Sequence, residues 1–186
     1  MLNLEPNELW SFFHEITQIP RPSKNEEKVI AYLKSFCKTY SLDSSVDGAG
    51  NVLIRKKASE GFESRKKVIL QAHMDMVCEK NNDVVHNFET DPIQYYVDGD
   101  WVKAKGTTLG GDNGIGMAMM LAILSSEKIQ HPALECLFTV DEETGLSGAF
   151  ALDNNLLTGD ILINLDSEDD GEIFIGCAGG IDTTVT

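Results

Sequence analysis

Six side chains able to ligate a metal or move a proton stand beside apolar runs. Val68-Ile69-Leu70-Gln71-Ala72 leads into His73-Met74-Asp75, and Gly110-Gly111-Asp112 precedes a long apolar stretch. Leu137-Phe138-Thr139-Val140 leads into Asp141-Glu142-Glu143, and Ile161-Leu162-Ile163-Asn164-Leu165 into Asp166. Short apolar runs bounded by polar turns read as buried strands. In α/β sheets the carboxyl ends of the strands face one crevice. His73, Asp75, Asp112, Glu142, Glu143 and Asp166 are therefore expected to meet in one place.

Such a gathering has an electrostatic cost. Two like charges ~4 Å apart repel by about 4 kcal/mol at an effective dielectric near 20. Raised pKa values or bound multivalent cations relieve it. One divalent ion leaves several carboxylates uncompensated, whereas two come near balance. The oxygen-rich set suits two divalent ions, zinc first, with manganese or cobalt as alternatives. In His73-Met74-Asp75 the residues two apart point the same way, so Asp75 can take the imidazole's second N–H and fix its tautomer. Neighbouring Glu142 and Glu143 can divide labour, one on metal and one on a water proton.

The elements that must position these groups are legible. Asn7 to Thr17 reads as a helix with Leu9, Phe12, Phe13 and Ile16 on one face, ended by Pro20 and Pro22. A second helix follows Ser23, with Ser23 and Glu26 expected as a capping box and Val29, Ile30, Leu33 and Phe36 as its core stripe. Strands are expected near 43–46, 51–56 and 67–72, then a hairpin turning at Asp98-Gly99-Asp100. Asn113 to Ser125 is apolar on nearly every side and reads as a buried helix. Strands at 133–140 and 161–165 and a helix at 146–152 complete an α/β layered domain, a central mostly parallel or mixed sheet flanked by helices.

The chain of 186 residues is long enough to bury a core, roughly 70% of the unfolded surface. Its formal net charge of -15 argues against nucleic acid and anionic membrane as partners. The longest apolar run, Met117 to Leu124, falls far short of the ~20 residues of a membrane helix. No signal-peptide pattern opens the chain, and Cys37, Cys78, Cys136 and Cys177 are scattered without a CxxC pair; a cytoplasmic protein with reduced, mostly buried thiols is expected. Asp166-Ser167-Glu168-Asp169-Asp170-Gly171 begins like a calcium loop, but its twelfth position is Cys177. Gly110 to Gly116 lacks the spacing of a dinucleotide loop, and Asp112 would repel a phosphate there.

Four ordered stretches together carry a family likeness. They are Gln71-Ala72-His73-Met74-Asp75-Met76-Val77-Cys78, Thr108 to Gly116, Thr139-Val140-Asp141-Glu142-Glu143-Thr144-Gly145, and Leu165-Asp166-Ser167-Glu168 running into Gly176-Cys177-Ala178-Gly179-Gly180. In these the chain resembles the M20 metallopeptidases, in their aminoacyl-histidine (cytosol non-specific) dipeptidase branch. The resemblance implies that His73 and Asp166 hold one ion, Glu143 the other, and Asp112 both, with a cis peptide bond after Asp112. It implies Asp75 as the partner of His73 and Glu142 as general base. The activity implied is hydrolysis of dipeptides with a free N-terminus, Xaa-His included.

Members of the family continue into a lid domain, through which they dimerise, and then return to supply a final histidine ligand. Residues 1–186 are therefore expected to be the N-terminal segment of the catalytic domain, an incomplete fold with the lid and C-terminal segment absent and little activity alone. His14, His86 and His131 read as surface residues rather than replacements for that ligand. Two other readings compete: a related M20 aminoacylase or aminopeptidase with the same metal core, and a non-catalytic metal- or partner-binding module. Retention of Glu142 argues against the latter, because binding alone needs no general base.

Overall fold

Proline and glycine punctuate a chain whose apolar periodicity alternates between helix and strand, and the elements follow that punctuation. The computed structural model describes residues 4–153, 155–167, 171–176 and 179. Helix α1 (Asn7–Thr17) turns Phe12, Phe13 and Ile16 inward, and α2 (Glu27–Tyr40) does the same with Val29, Leu33, Phe36 and Cys37. Strands β1 (Asp43–Val46), β2 (Val52–Lys56) and β3 (Val68–His73) follow, then the hairpin β4 (Tyr95–Asp98) and β5 (Trp101–Ala104). Helix α3 (Gly111–Ser125), strand β6 (Leu134–Thr139), the single turn α4 (Ser147–Phe150) and strand β7 (Ile161–Asn164) complete the order.

The main sheet runs β1-β2-β6-β3-β7 and is mixed. Strands β6, β3 and β7 are parallel, while β2 runs antiparallel to β6 and β1 to β2. The carboxyl ends of β3, β6 and β7 therefore lie at one edge, each followed by acidic residues. Helices α1, α2 and α3 share one core with Val52, Ile54, Leu70, Ala72, Cys136 and Phe138 of one sheet face. The other face carries a smaller cluster, Leu53, Ile69 and Leu137 under Leu152, Leu156 and Leu157. Strand β7 is the edge, and its Ile161, Leu162 and Ile163 are 42–54% exposed. Among the described residues no helix is long and apolar enough to cross a membrane.

A polar rung crosses the three parallel strands near those ends. Asn164 Nδ2 donates to Gln71 Oε1 at 2.5 Å, and Gln71 Nε2 donates to Thr139 Oγ1 at 3.2 Å. At the opposite ends, the buried carboxylate of Glu135 on β6 accepts Thr158 N–H and O–H and Gly159 N–H at 2.7–3.0 Å. Lys67 Nζ stands 3.4 Å from it and Arg55 Nε 3.7 Å. This group anchors the turn that feeds β7.

Five expectations need correction or completion. Ser23 and Glu26 do not form a capping box: α2 starts at Glu27, Ser23 Oγ donates to Asp75, and Glu26 accepts the amides of Lys24 and Asp141. These side chains satisfy distant loops instead of the helix end. His131 is buried rather than on the surface, its Nδ1 facing Pro132 O at 2.8 Å and its amide donating to Ser59. His14 is half-buried against the Tyr95 hydroxyl. The helix at 146–152 contracts to one turn, Ser147–Phe150, its start set by the positive φ of Gly145 and Leu146. Cys37 and Cys136 are buried thiols and Cys78 is half-buried, all free, while Cys177 lies outside the described residues with Glu168, Asp169, Asp170, Ala178, Gly180 and Thr186.

Replacing Glu135 by Ala strands two amide donors and two cations, and is expected to cost about 2–3 kcal/mol at pH 7 in urea unfolding. The three hydrogen bonds, helped by Lys67, outweigh burial and hold the Glu135 carboxyl below its ordinary value. Its contribution is thus present at neutral pH and is lost as pH falls through the folded value. The gap between wild type and Glu135→Gln should close toward pH 3.

Candidate metal centre

Strand β3 delivers His73 as its last residue, with Met74 buried in the core and Asp75 returning to the side of the imidazole. His73 Nδ1 lies 3.0 Å from Asp75 O and 3.2 Å from Asp75 Oδ1. Both are acceptors, so Nδ1 carries a proton, and Nε2 faces outward. Nε2 meets Asp112 Oδ1 at 2.8 Å, Asp166 Oδ2 at 3.8 Å and Glu142 Oε2 at 4.0 Å. His73, Asp112 and Glu143 offer ligand atoms all within 4.8 Å of one another. All six residues expected to converge do so.

Asp75 binds two loops at once. Its Oδ1 also accepts Glu142 N–H at 3.0 Å, and its Oδ2 accepts Ser23 O–H at 2.7 Å and Glu143 N–H at 3.2 Å. Burial opposes charge on Asp75, but His73, Ser23 and the two amides outweigh it and hold the carboxyl well below the usual range. The turn that offers these amides is shaped by Asp141, which takes φ +50°. Asp141 N–H donates to Glu26, and its buried carboxylate accepts the hydroxyls of Thr144 and Ser147. Asp141 thus turns away from the cluster, while its two neighbours face it.

Asp112 comes from the kinked start of α3. The residue before the helix, Gly110, sits at φ +70°, and Asp112 and Asn113 have non-helical backbone angles with a cis peptide bond between them. The cis bond stands where the family likeness implies it.

The shifted pKa values follow from the crowding. Burial works against a charged His73, yet hydrogen bonds to Asp75 and Asp112 and the charge of Asp166 lift its pKa to about 9. Burial raises Asp166 to about 6; His73 pulls the other way, and Asp112 and Glu142 add to the rise. Glu143 is raised by burial and by Asp112. Carboxylates held this reluctantly, around an outward-facing imidazole nitrogen, form a donor set suited to divalent cations. The described group contains one imidazole, His73; His14, His86 and His131 do not join it.

Sequence reasoning missed the connection between α1 and α2. Arg21, 2% exposed, donates from Nη1 to Met74 O (2.8 Å) and Asp75 O (2.7 Å), and from Nη2 to Gly110 O (2.6 Å). Pro22 runs alongside Met76, Ser23 reaches Asp75, and Glu26 reaches Asp141. Burial lowers the Arg21 pKa to about 10, with Asp75 foremost among the charges that hold it up, so it stays cationic at neutral pH. A signal for it existed: two divalent ions leave one of five carboxylates unmatched, and a buried arginine supplies the missing charge.

A model described as peptidase family M20/M25/M40 matches residues 69–178. The cytosol non-specific dipeptidase of Escherichia coli (strain K12) is 56% identical over 181 residues, 97% of this chain and 37% of that protein. The crystal structure of aminoacylhistidine dipeptidase from Vibrio alginolyticus matches with a TM-score of 0.92 at 52% identity, over 94% of this chain and 36% of that one. A tripeptidase from Staphylococcus aureus matches with a TM-score of 0.73 at 27% identity, over 88% of this chain and 44% of that one. The chain spans well under half the length of each of these relatives. With the family match covering most of the chain and identity this high running nearly end to end, the chain belongs to peptidase family M20/M25/M40.

Proposed function

We propose that this chain is the metal-binding part of a cytosolic metallopeptidase that hydrolyses dipeptides with a free N-terminus. The observation that carries the reading is the outward-facing Nε2 of His73, ringed by Asp112, Asp166, Glu142 and Glu143 with Asp75 behind it. In this reading His73 and Asp166 would hold one divalent ion and Glu143 a second, with Asp112 serving both. Zinc is the first choice. Two such ions together with Arg21 match the five carboxylates charge for charge. Bound there, divalent ions supply Lewis-acid polarisation of the scissile carbonyl and lower the pKa of a nearby water.

The chain's own residues do the rest. Glu142 is two-thirds buried, and its Oε2 stands beside the imidazole. It takes the proton from the attacking water and passes it to the nitrogen of the leaving amine. Asp75 holds the His73 tautomer and, through the amides of Glu142 and Glu143, the direction of both side chains. We further propose that a part of the whole protein beyond this segment completes the ligand set and closes over the substrate, and that the whole protein pairs as a homodimer. The support for the completed ligand set is the single imidazole in the described group and the share of the relatives' length that the chain spans; the homodimer is carried by the family likeness alone.

Metal analysis after dialysis is expected to find the metal retained in Glu142→Ala and lost in Asp112→Ala. Equal contents would remove Asp112 from the bridging position. In the whole protein, Glu142→Ala should lower kcat by about 10²–10⁴-fold with dipeptide substrates. Turnover near wild type would end the general-base assignment. The 186-residue segment alone should turn over at least ~100-fold more slowly than the whole protein.

Metal entry must also displace protons. Below the lifted value of about 9, His73 carries a proton on the nitrogen that faces the acids. Metal affinity should therefore rise with pH up to about 9. Calorimetry at pH 7 in two buffers of different ionisation enthalpy should show about one proton released from this residue.

A further inference from the structure

Arg21 is buried behind the acid cluster and hydrogen-bonds to none of its carboxylates. Its three hydrogen bonds all go to backbone carbonyls, and those carbonyls belong to two different loops. Met74 and Asp75 lie in the loop directly after His73, the last residue of β3. Gly110 lies in the loop that carries Asp112. The planar guanidinium fork fixes direction as well as distance, which a point-charge ammonium does not.

Two further observations bear on the fork. The Asp75 carbonyl that accepts Arg21 Nη1 at 2.7 Å is also the one that His73 Nδ1 faces at 3.0 Å, so the guanidinium and the imidazole share an acceptor. The glycines of the Asp112 loop are shaped around the same group. A Cβ on Gly110 would stand 2.5 Å from Arg21 Nη2, and one on Gly114 would stand 2.8 Å from it. At Gly114 the backbone angles are ordinary, so the demand for glycine there comes from the space that the guanidinium occupies. The prolines on either side, Pro20 and Pro22, stiffen the segment that presents it, and Pro22 pairs alongside Met76.

We infer that Arg21 is a positioning residue: by clasping both loops it sets the separation of His73 Nε2 and Asp112 Oδ1, and with it the affinity of the site for a divalent ion. It binds neither metal nor substrate. The inference rests on the metal-centre reading above and adds to it a residue outside the ligand set.

The test uses the whole protein and Zn²⁺ alone, with affinity measured by competition against a chromogenic chelator at pH 7.5. Wild type must bind first; failure there ends the metal reading itself, whereas the variants bear on the clasp. Arg21→Lys keeps the charge and loses the fork, and is expected to bind Zn²⁺ about tenfold more weakly or worse. Gly114→Ala keeps Arg21 but pushes on its Nη2, and should weaken binding in the same direction. The double variant should be no weaker than Arg21→Lys, since both act through one clasp. A merely structural Arg21 would lower the melting temperature of metal-free and metal-loaded protein alike and leave the Zn²⁺ affinity within twofold of wild type; that result overturns the inference. Should Arg21→Lys fail to fold, Gly114→Ala decides alone, and unchanged affinity in it overturns the inference equally.

Discussion

Like charges held close together are the constraint to which the rest of the molecule answers. Asp75, Asp112, Glu142, Glu143 and Asp166 crowd one imidazole, and Asp166 and Glu143 already resist ionisation there. A chain left to itself would spread such groups into water. Three kinds of restraint hold them: parallel strands that end at the same edge, a carboxylate that collects the amides of two neighbours, and a buried guanidinium that ties two loops. Each converts packing or hydrogen bonding elsewhere into proximity here. In the absence of metal the cluster eases its charge at neutral pH chiefly by keeping a proton on His73.

The division of labour inside the cluster comes from environment more than residue type. Asp75 and Asp166 are the same side chain. One is fully buried yet receives four hydrogen bonds and stays ionised. The other has few donors and several acidic neighbours, and its pKa climbs. Asp141 and Glu142 are adjacent, but a positive φ turns the first into the fold and leaves the second at the rim.

Much of this is legible in the sequence, because apolar periodicity reports burial and the acids sit where the periodicity breaks. Helix α1 has the bounds that its face of Leu9, Phe12, Phe13 and Ile16 implies, and the hairpin turns at Asp98-Gly99-Asp100. The convergence of His73, Glu142 and Asp166 follows from the shared direction of β3, β6 and β7, whereas Asp112 arrives from the kinked start of α3. The hidden part depends on contacts far apart in the chain. Ser23 and Glu26 have the spacing of a helix cap, and local rules assign them there; the loops of Asp75 and Asp141, about fifty and over a hundred residues away, take them instead. A buried arginine gives no periodic signal at all. It is visible only as a missing positive charge once the acids are counted together, which local rules do not do. His131 defeats local rules for a related reason: a polar residue beside proline looks exposed until the strand behind it is placed.

The rung of Asn164, Gln71 and Thr139 has a consequence for how this site can change over generations. Asp166 lies two residues beyond the last paired position of β7, so its side chain reaches His73 only while Asn164 stays opposite Gln71. Sliding β7 by a single position would turn Asp166 to the reverse side of the sheet and bring Leu165 toward the imidazole. The amide pair acts as a latch against that slip. Insertions or deletions ahead of Thr158 and Gly159, the residues that Glu135 holds, leave the register of β7 intact, whereas one between Ile161 and Asp166 does not. Length variation among descendants of this chain should therefore collect on one side of the latch and be absent from the other.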